Sequence, residues 1–234
     1  MRHNHPSVAM IEVVAKALGD LNERVVFVGG STVPLYLEND GSQAPRPTED
    51  VDCVIELASY ASYAELEKQL RARGFRNSDR NNAPICRWEV NGVVVDIMPT
   101  DKRVIGFSNK WYSDGIKHAM QVTLPSGMAV RIFSPPFFIA SKFEAFLGRG
   151  RGDFRTSHDI EDVVTLLDGL LTLSSIETAP LSVREYIQEK LDEFLASDLF
   201  RESIAGHLEP GPTQAEATRR ILSNLNQISK GFTS

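Results

Sequence analysis

Residues 8–18, VAMIEVVAKAL, space their apolar positions at helical intervals and run into Gly19, which predicts an amphipathic helix with a glycine stop. The continuous apolar run RVVFV (24–28) predicts a strand ending at Gly29-Gly30. STVPLYLEN (31–39) has a helical pattern, with Pro34 tolerable because it falls in the first turn. A polar loop, DGSQAPRPTE (40–49), leads into DVDCVIEL (50–57), a second strand. SYAELEKQLRARGF (62–75) is a second amphipathic helix, closed by Gly74.

The strongest short-range signal is ICRWEVNGVVVDIMP (85–99), two β-type runs flanking Asn91-Gly92. That dipeptide favours a two-residue type I′ hairpin turn. Val90 then faces Val93, and counting outward sets Arg87 across from Asp96. HAMQVTLPSGMAVRIFS (118–134) predicts another hairpin, turning at Pro125-Ser126-Gly127. After Pro135-Pro136 the period becomes helical throughout, in FFIASKFEAFLG, HDIEDVVTLLDGLL, VREYIQEKLDEFLAS and QAEATRRILSNLNQIS. The expected organisation is a mixed α/β part, 1–133, followed by a helical part, 134–234. Neither internal repeats nor low-complexity tracts interrupt it.

Composition narrows the class without choosing a function. Hydrophobic residues make up 42% of the 234 positions and charged residues 24%, ordinary values for a globular protein with a sizeable core. No apolar run reaches the roughly 20 residues that span a bilayer, and the N-terminal stretch lacks the pattern of a signal peptide. The expectation is therefore a cytoplasmic protein with no membrane partner. Cys53 and Cys86, the two cysteines, each sit within a strand-like run and read as reduced core thiols. The five histidines show no zinc spacing, and His3 and His5 read as part of a frayed terminus. A net charge of −6 argues against nonspecific coating of nucleic acid and suits a cationic acceptor or partner.

The chemistry lies in where the carboxylates fall. Asp50 and Asp52 are two apart on a strand and project from one face, with Val51 and Cys53 on the other. Such a pair is costly to desolvate unless a cation compensates it. Oxygen donors favour magnesium or manganese, and Asp96, on a separate strand, supplies a third carboxylate. Three carboxylates can hold two ions about 4 Å apart, an arrangement suited to phosphoryl or nucleotidyl transfer. The competing account puts Asp50 and Asp52 at a solvated strand entrance and gives Asp96 a structural partner in Arg87. Gly29, Gly30 and Ser31, between a strand and a helix start, make a turn whose N–H groups and hydroxyl can face a phosphate.

Gly29-Gly30-Ser31, Asp50-x-Asp52 and the later Asp96 resemble the polymerase-β-like nucleotidyltransferase superfamily. The run SKFEAFLGRGRGDFRTSHDIEDVVTLLDG is similar to the two helical motifs of AbiEii/AbiGii-type toxins, nucleotidyltransferases of type IV toxin–antitoxin systems. Lys142 and Ala145 align with the first motif, and Asp159 and Asp162 with the second; His158 stands where that family carries Arg or Lys. The resemblance spans about residues 24–170. It implies an α+β fold, a mixed-sheet nucleotidyltransferase core followed by a C-terminal helical bundle. It also implies Mg2+ or Mn2+ on Asp50, Asp52 and Asp96, and an NTP gripped by Gly29, Gly30, Ser31 and Lys142. Asp159 would pair with Lys142 or assist the acceptor hydroxyl. The implied partners are tRNA as acceptor and a cognate antitoxin.

The residues themselves keep alternatives open. Lys142 borders the apolar stripe Ile139, Phe143 and Phe146, so it either meets a triphosphate or snorkels into water. Thr156-x-x-Asp159 matches a capping box, which would occupy Asp159 at a helix start. Arg149, Arg151 and Arg155 cluster among glycines, as a phosphate-binding loop or a solvated one. At the level of function, the alternatives are an aminoglycoside-like small-molecule nucleotidyltransferase and a noncatalytic nucleotide-binding module.

Overall fold

The computed structural model describes residues 5–38, 43–57, 59–78, 83–149 and 152–231. The expectations for His3 and Arg151 lie outside the described residues. The chain divides into two compact units, Met1–Leu35 with Arg46–Phe133, and Tyr36–Pro45 with Ser134–Ser234.

The first unit is built on strands β1 (Val25–Val28), β2 (Asp50–Ile55), β3 (Arg76–Asn77), β4 (Arg87–Val90), β5 (Val93–Pro99), β6 (Met120–Thr123) and β7 (Ala129–Ile132). Among the described residues these form one seven-stranded sheet in the order β3-β4-β5-β2-β1-β7-β6. β2 pairs parallel with β5 and β1 parallel with β7, while the remaining neighbours are antiparallel. All four residues of β1 are buried, as expected for an uninterrupted apolar strand in the middle of a sheet.

Helix α1 (Pro6–Leu18) buries Val8, Ile11, Val14, Ala15 and Leu18 and contacts β2, β4 and β5. Its N-cap is His5, whose ring accepts a hydrogen bond from the Ser7 N–H at 3.2 Å. His5 is thus a capping residue and not part of a frayed end, because the first N–H groups of a helix need an acceptor. α2 (Tyr60–Ala72) and the short α3 (Lys102–Ile105) and α4 (Tyr112–Lys117) complete the unit.

Both hairpins take the predicted form. Asn91 (φ 50°) and Gly92 (φ 81°) are both left-handed, as a type I′ turn requires. Val90 faces Val93 and Arg87 faces Asp96. In the second hairpin Thr123 pairs with Ala129, and Gly127 sits at the turn with φ 83°.

The helix expected over 31–39 is instead a 3₁₀ segment, Gly30–Leu35, with Pro34 inside it. Proline has no N–H to continue a helical ladder, and the residues beyond find other partners. Tyr36 packs its ring 5.1 Å from Phe138, and the Glu38 N–H donates to the Gly169 carbonyl at 2.9 Å. Packing against the second unit's own helices overrides the local pattern.

The second unit is helical: α5 (Pro135–Arg149), α6 (His158–Gly169), the short α7 (Ser174–Glu177), α8 (Leu181–Leu195), α9 (Asp198–Gly206) and α10 (Gln214–Ser229). Phe143, Phe146, Phe154, Phe194 and Phe200 form its aromatic centre, with ring centroids 4.9 to 5.7 Å apart, mostly edge-to-face. A mixed sheet with a following helical region is the α+β class expected. No helix among the described residues is long and apolar enough to cross a membrane.

Candidate active site

Strand β2 begins with alternating burial: Asp50 and Asp52 are half-buried, Val51 and Cys53 fully buried. The apolar side chains anchor the strand in the core and leave both carboxylates on the opposite face. In the parallel pairing of β2 with β5, Asp52 stands directly beside Asp96. Register partners on neighbouring strands share a face, so Asp50, Asp52 and Asp96 project from the same side of the sheet. Asp96 is itself buried.

On its other side β2 pairs with β1, where Val28 faces Asp52. One residue further the chain turns at Gly29 with φ 74°, and the Asp52 carboxylate occupies the space a Cβ at Gly29 would need. The glycine turn and the carboxylate are therefore neighbours, and any side chain at 29 would push the carboxylate away. Ser31 does not present its hydroxyl as expected. It is 1% exposed and donates to the Val28 carbonyl at 3.5 Å, because the tight 3₁₀ turn folds it inward. Gly30 is buried in the same segment.

Positive charge is brought to this face chiefly by Arg87 of β4, with Arg46 also lowering the cost of charge on Asp50. The Arg87 Nε donates to Asp96 Oδ1 (2.8 Å), and its Nη2 donates both to Asp96 Oδ2 (2.7 Å) and to Asp50 Oδ2 (2.9 Å). The Asp96 hydrogen bonds raise the already high Arg87 pKa. Burial, and next the Asp96 charge, push the Asp50 carboxyl above the usual carboxylate value against the pull of Arg87. A solvated strand entrance does not describe this arrangement. Burial also pushes both neighbouring thiols up, Cys53 well above its ordinary value and Cys86 to about 12, so both are neutral core groups.

The expected ready-made cage of three carboxylates is not what is found. Among the described residues no three His, Cys, Asp or Glu side chains are grouped to hold a metal ion. Arg87 clasps two of the three carboxylates and supplies the counter-charge. The donor chemistry still fits a hard divalent cation: all side-chain oxygens, from two adjacent strands, on one face. Arg87 is the partner that the hairpin register set beside Asp96; its reach to Asp50, two strands away, had no sequence signal.

Lys142 and Asp159 are brought together within the second unit. Lys142 is buried, and its Nζ lies 3.1 Å from Asp159 Oδ1 and 2.5 Å from Asp162 Oδ2. Snorkelling is thereby overturned, since the ammonium is committed to two buried carboxylates. Arg149 adds Nη2 at 3.1 Å from both Asp159 oxygens. The capping box is overturned as well. Ser157 is the N-cap of α6, accepting from the Ile160 N–H at 3.3 Å, and Thr156 donates to Asp153 instead. Arg155 is likewise tied to Asp153 through its N–H and to Glu202 at 3.4 Å.

No family model matches the chain, and no curated protein matches it in sequence. Solved structures do resemble it. The antibiotic-resistance factor ANT(2'')-Ia in solution is 17% identical with a TM-score of 0.49, over 81% of this chain and 95% of that one. The same factor in complex with adenylyl-2''-tobramycin is 17% identical with a TM-score of 0.45, over 76% and 93%. JHP933 from Helicobacter pylori is 11% identical with a TM-score of 0.46, over 96% and 92%. At such identity and scores below 0.5, the likeness says nothing about substrate.

Proposed function

We propose that this protein is a metal-dependent nucleotidyltransferase, moving a nucleoside monophosphate from an NTP to an acceptor hydroxyl with release of pyrophosphate. One observation carries the reading: Asp50, Asp52 and Asp96 share one sheet face, with the Gly29 turn against Asp52. In this reading the three aspartates hold Mg2+ or Mn2+. When bound, the ion neutralises phosphate charge and lowers the pKa of the acceptor hydroxyl. The Gly29-Gly30 turn, closed against Asp52, would offer backbone N–H groups to the outer phosphates, and Asp96 orients the acceptor side. The acceptor oxygen bonds to the α-phosphorus as the bridging oxygen departs with pyrophosphate. The residues contribute positioning and charge complementarity.

For the acceptor, we favour tRNA or another cellular target, with the protein acting as the toxin of a type IV toxin–antitoxin pair. The support is that Lys142, Asp159 and Asp162, which carry the resemblance to those toxins, form one buried ion cluster. A small cationic acceptor of the aminoglycoside kind is the second reading, favoured by the net charge of −6. Incubation with labelled NTPs and either total tRNA or aminoglycosides separates the two. Transfer to tRNA that is lost in Asp52→Asn supports the first. Transfer confined to aminoglycosides supports the second, and full activity in Asp52→Asn rejects the site.

A further inference from the structure

Arg87 takes up oxygens that a cation on this face would need. Its fork covers both oxygens of Asp96, and its Nη2 extends to Asp50, joining β4, β5 and β2 through one side chain. A guanidinium cannot lose its proton in a protein, so this counter-charge is permanent wherever the side chain lies. Clustered carboxylates over an apolar strand floor carry a desolvation cost that such a partner offsets. A divalent ion seated on Asp50 and Asp96 shares those carboxylates with the Arg87 guanidinium. Each oxygen keeps a second lone pair, so the two cations compete through like-charge repulsion over the same negative charge.

We propose that Arg87 is a displaceable counter-ion and positioning residue. It holds Asp50 and Asp96 aligned while no divalent ion is bound, and releases them to the ion as it enters. This rests on reading the acidic face as a divalent-ion site. Ion affinity is then set by an exchange, ion for guanidinium, and is weaker than the three carboxylates alone would give. The side chain that stabilises the metal-free protein is the same one that opposes metal binding.

The test is direct Mn2+ binding to the full chain without nucleotide, followed by electron paramagnetic resonance of free Mn2+, with thermal unfolding read in parallel. Arg87→Gln is expected to bind Mn2+ about tenfold more tightly, the worth of losing one charge-assisted hydrogen bond to the site. It also unfolds at a lower temperature without metal and gains more from added Mn2+ than the wild type. Arg87→Lys keeps the charge but not the fork, so it folds like the wild type and binds with intermediate affinity. Wild-type binding that is lost in Asp52→Asn but equal in Arg87→Gln and Arg87→Lys overturns the exchange and leaves the ion site standing. No Mn2+ binding in any of these proteins overturns both.

Discussion

The Asp52 carboxylate fills the space beside Gly29 where a Cβ would have to go. Gly29 is also left-handed, with φ 74°, so a side chain there meets both backbone strain and a carboxylate. Gly29→Ala is expected to cost about 1–3 kcal/mol of stability and to abolish nucleotidyl transfer by displacing Asp52. Urea unfolding and labelled-NTP transfer check the two effects separately. Wild-type transfer in the variant would disconnect the turn from the site.

Asn91-Gly92 sets the register that places Arg87 opposite Asp96. A β-branched residue resists the left-handed conformation of position 92, so Gly92→Val is expected to lower stability by about 1–2 kcal/mol. Asn91→Gly, which keeps the turn accessible, is expected to stay close to the wild type. Thermal unfolding distinguishes them, and equal midpoints would show that strand packing, not the turn, holds the register.

The Lys142 ammonium lies between Asp159 and Asp162, with Asp162 almost wholly buried. Removing one member of a buried ion cluster leaves charge without its compensation, at a cost of about 3–5 kcal/mol. Lys142→Met should show that loss in urea unfolding. Lys142→Met combined with Asp162→Leu should recover part of it, because the buried charge goes with its partner. A Lys142→Met protein of unchanged stability with impaired transfer would instead make Lys142 a functional group alone.

Cys86 is held neutral by burial, its thiol pushed from 9.0 to about 12. A group whose pKa rises on folding contributes its stability fully below the unfolded value and loses it as pH climbs through the folded one. Stability should therefore decline above about pH 9, and less steeply in Cys86→Ala. Unfolding midpoints from pH 8 to 11 test this. At pH 8 a disulfide thiol reagent should label neither Cys86 nor Cys53 until the protein is unfolded; rapid labelling of the native chain would contradict their burial.

Much of this molecule follows from local pattern. Helices α5, α6, α8 and α10 of the second unit (α7 and α9 are not read from the pattern), the two hairpins and the shared face of Asp50 and Asp52 depend on side-chain period and on turn residues that act over a few positions. The pairing of Arg87 with Asp96 belongs with them, because an Asn-Gly turn leaves one register. Other features required the assembled chain. Strand order sets β5 beside β2, and so brings Asp96 to Asp52 and lets Arg87 reach Asp50. Nothing in the spacing of those residues states which strands will be neighbours. The residues after Leu35 abandon their helical pattern because Tyr36 and Leu37 bury themselves against Phe138 and Gly169. Asp159 leaves helix capping to Ser157 because a buried lysine needs its charge. In each case local propensity, worth tenths of a kcal/mol per residue, yields to burial and charge pairing between groups far apart in the chain.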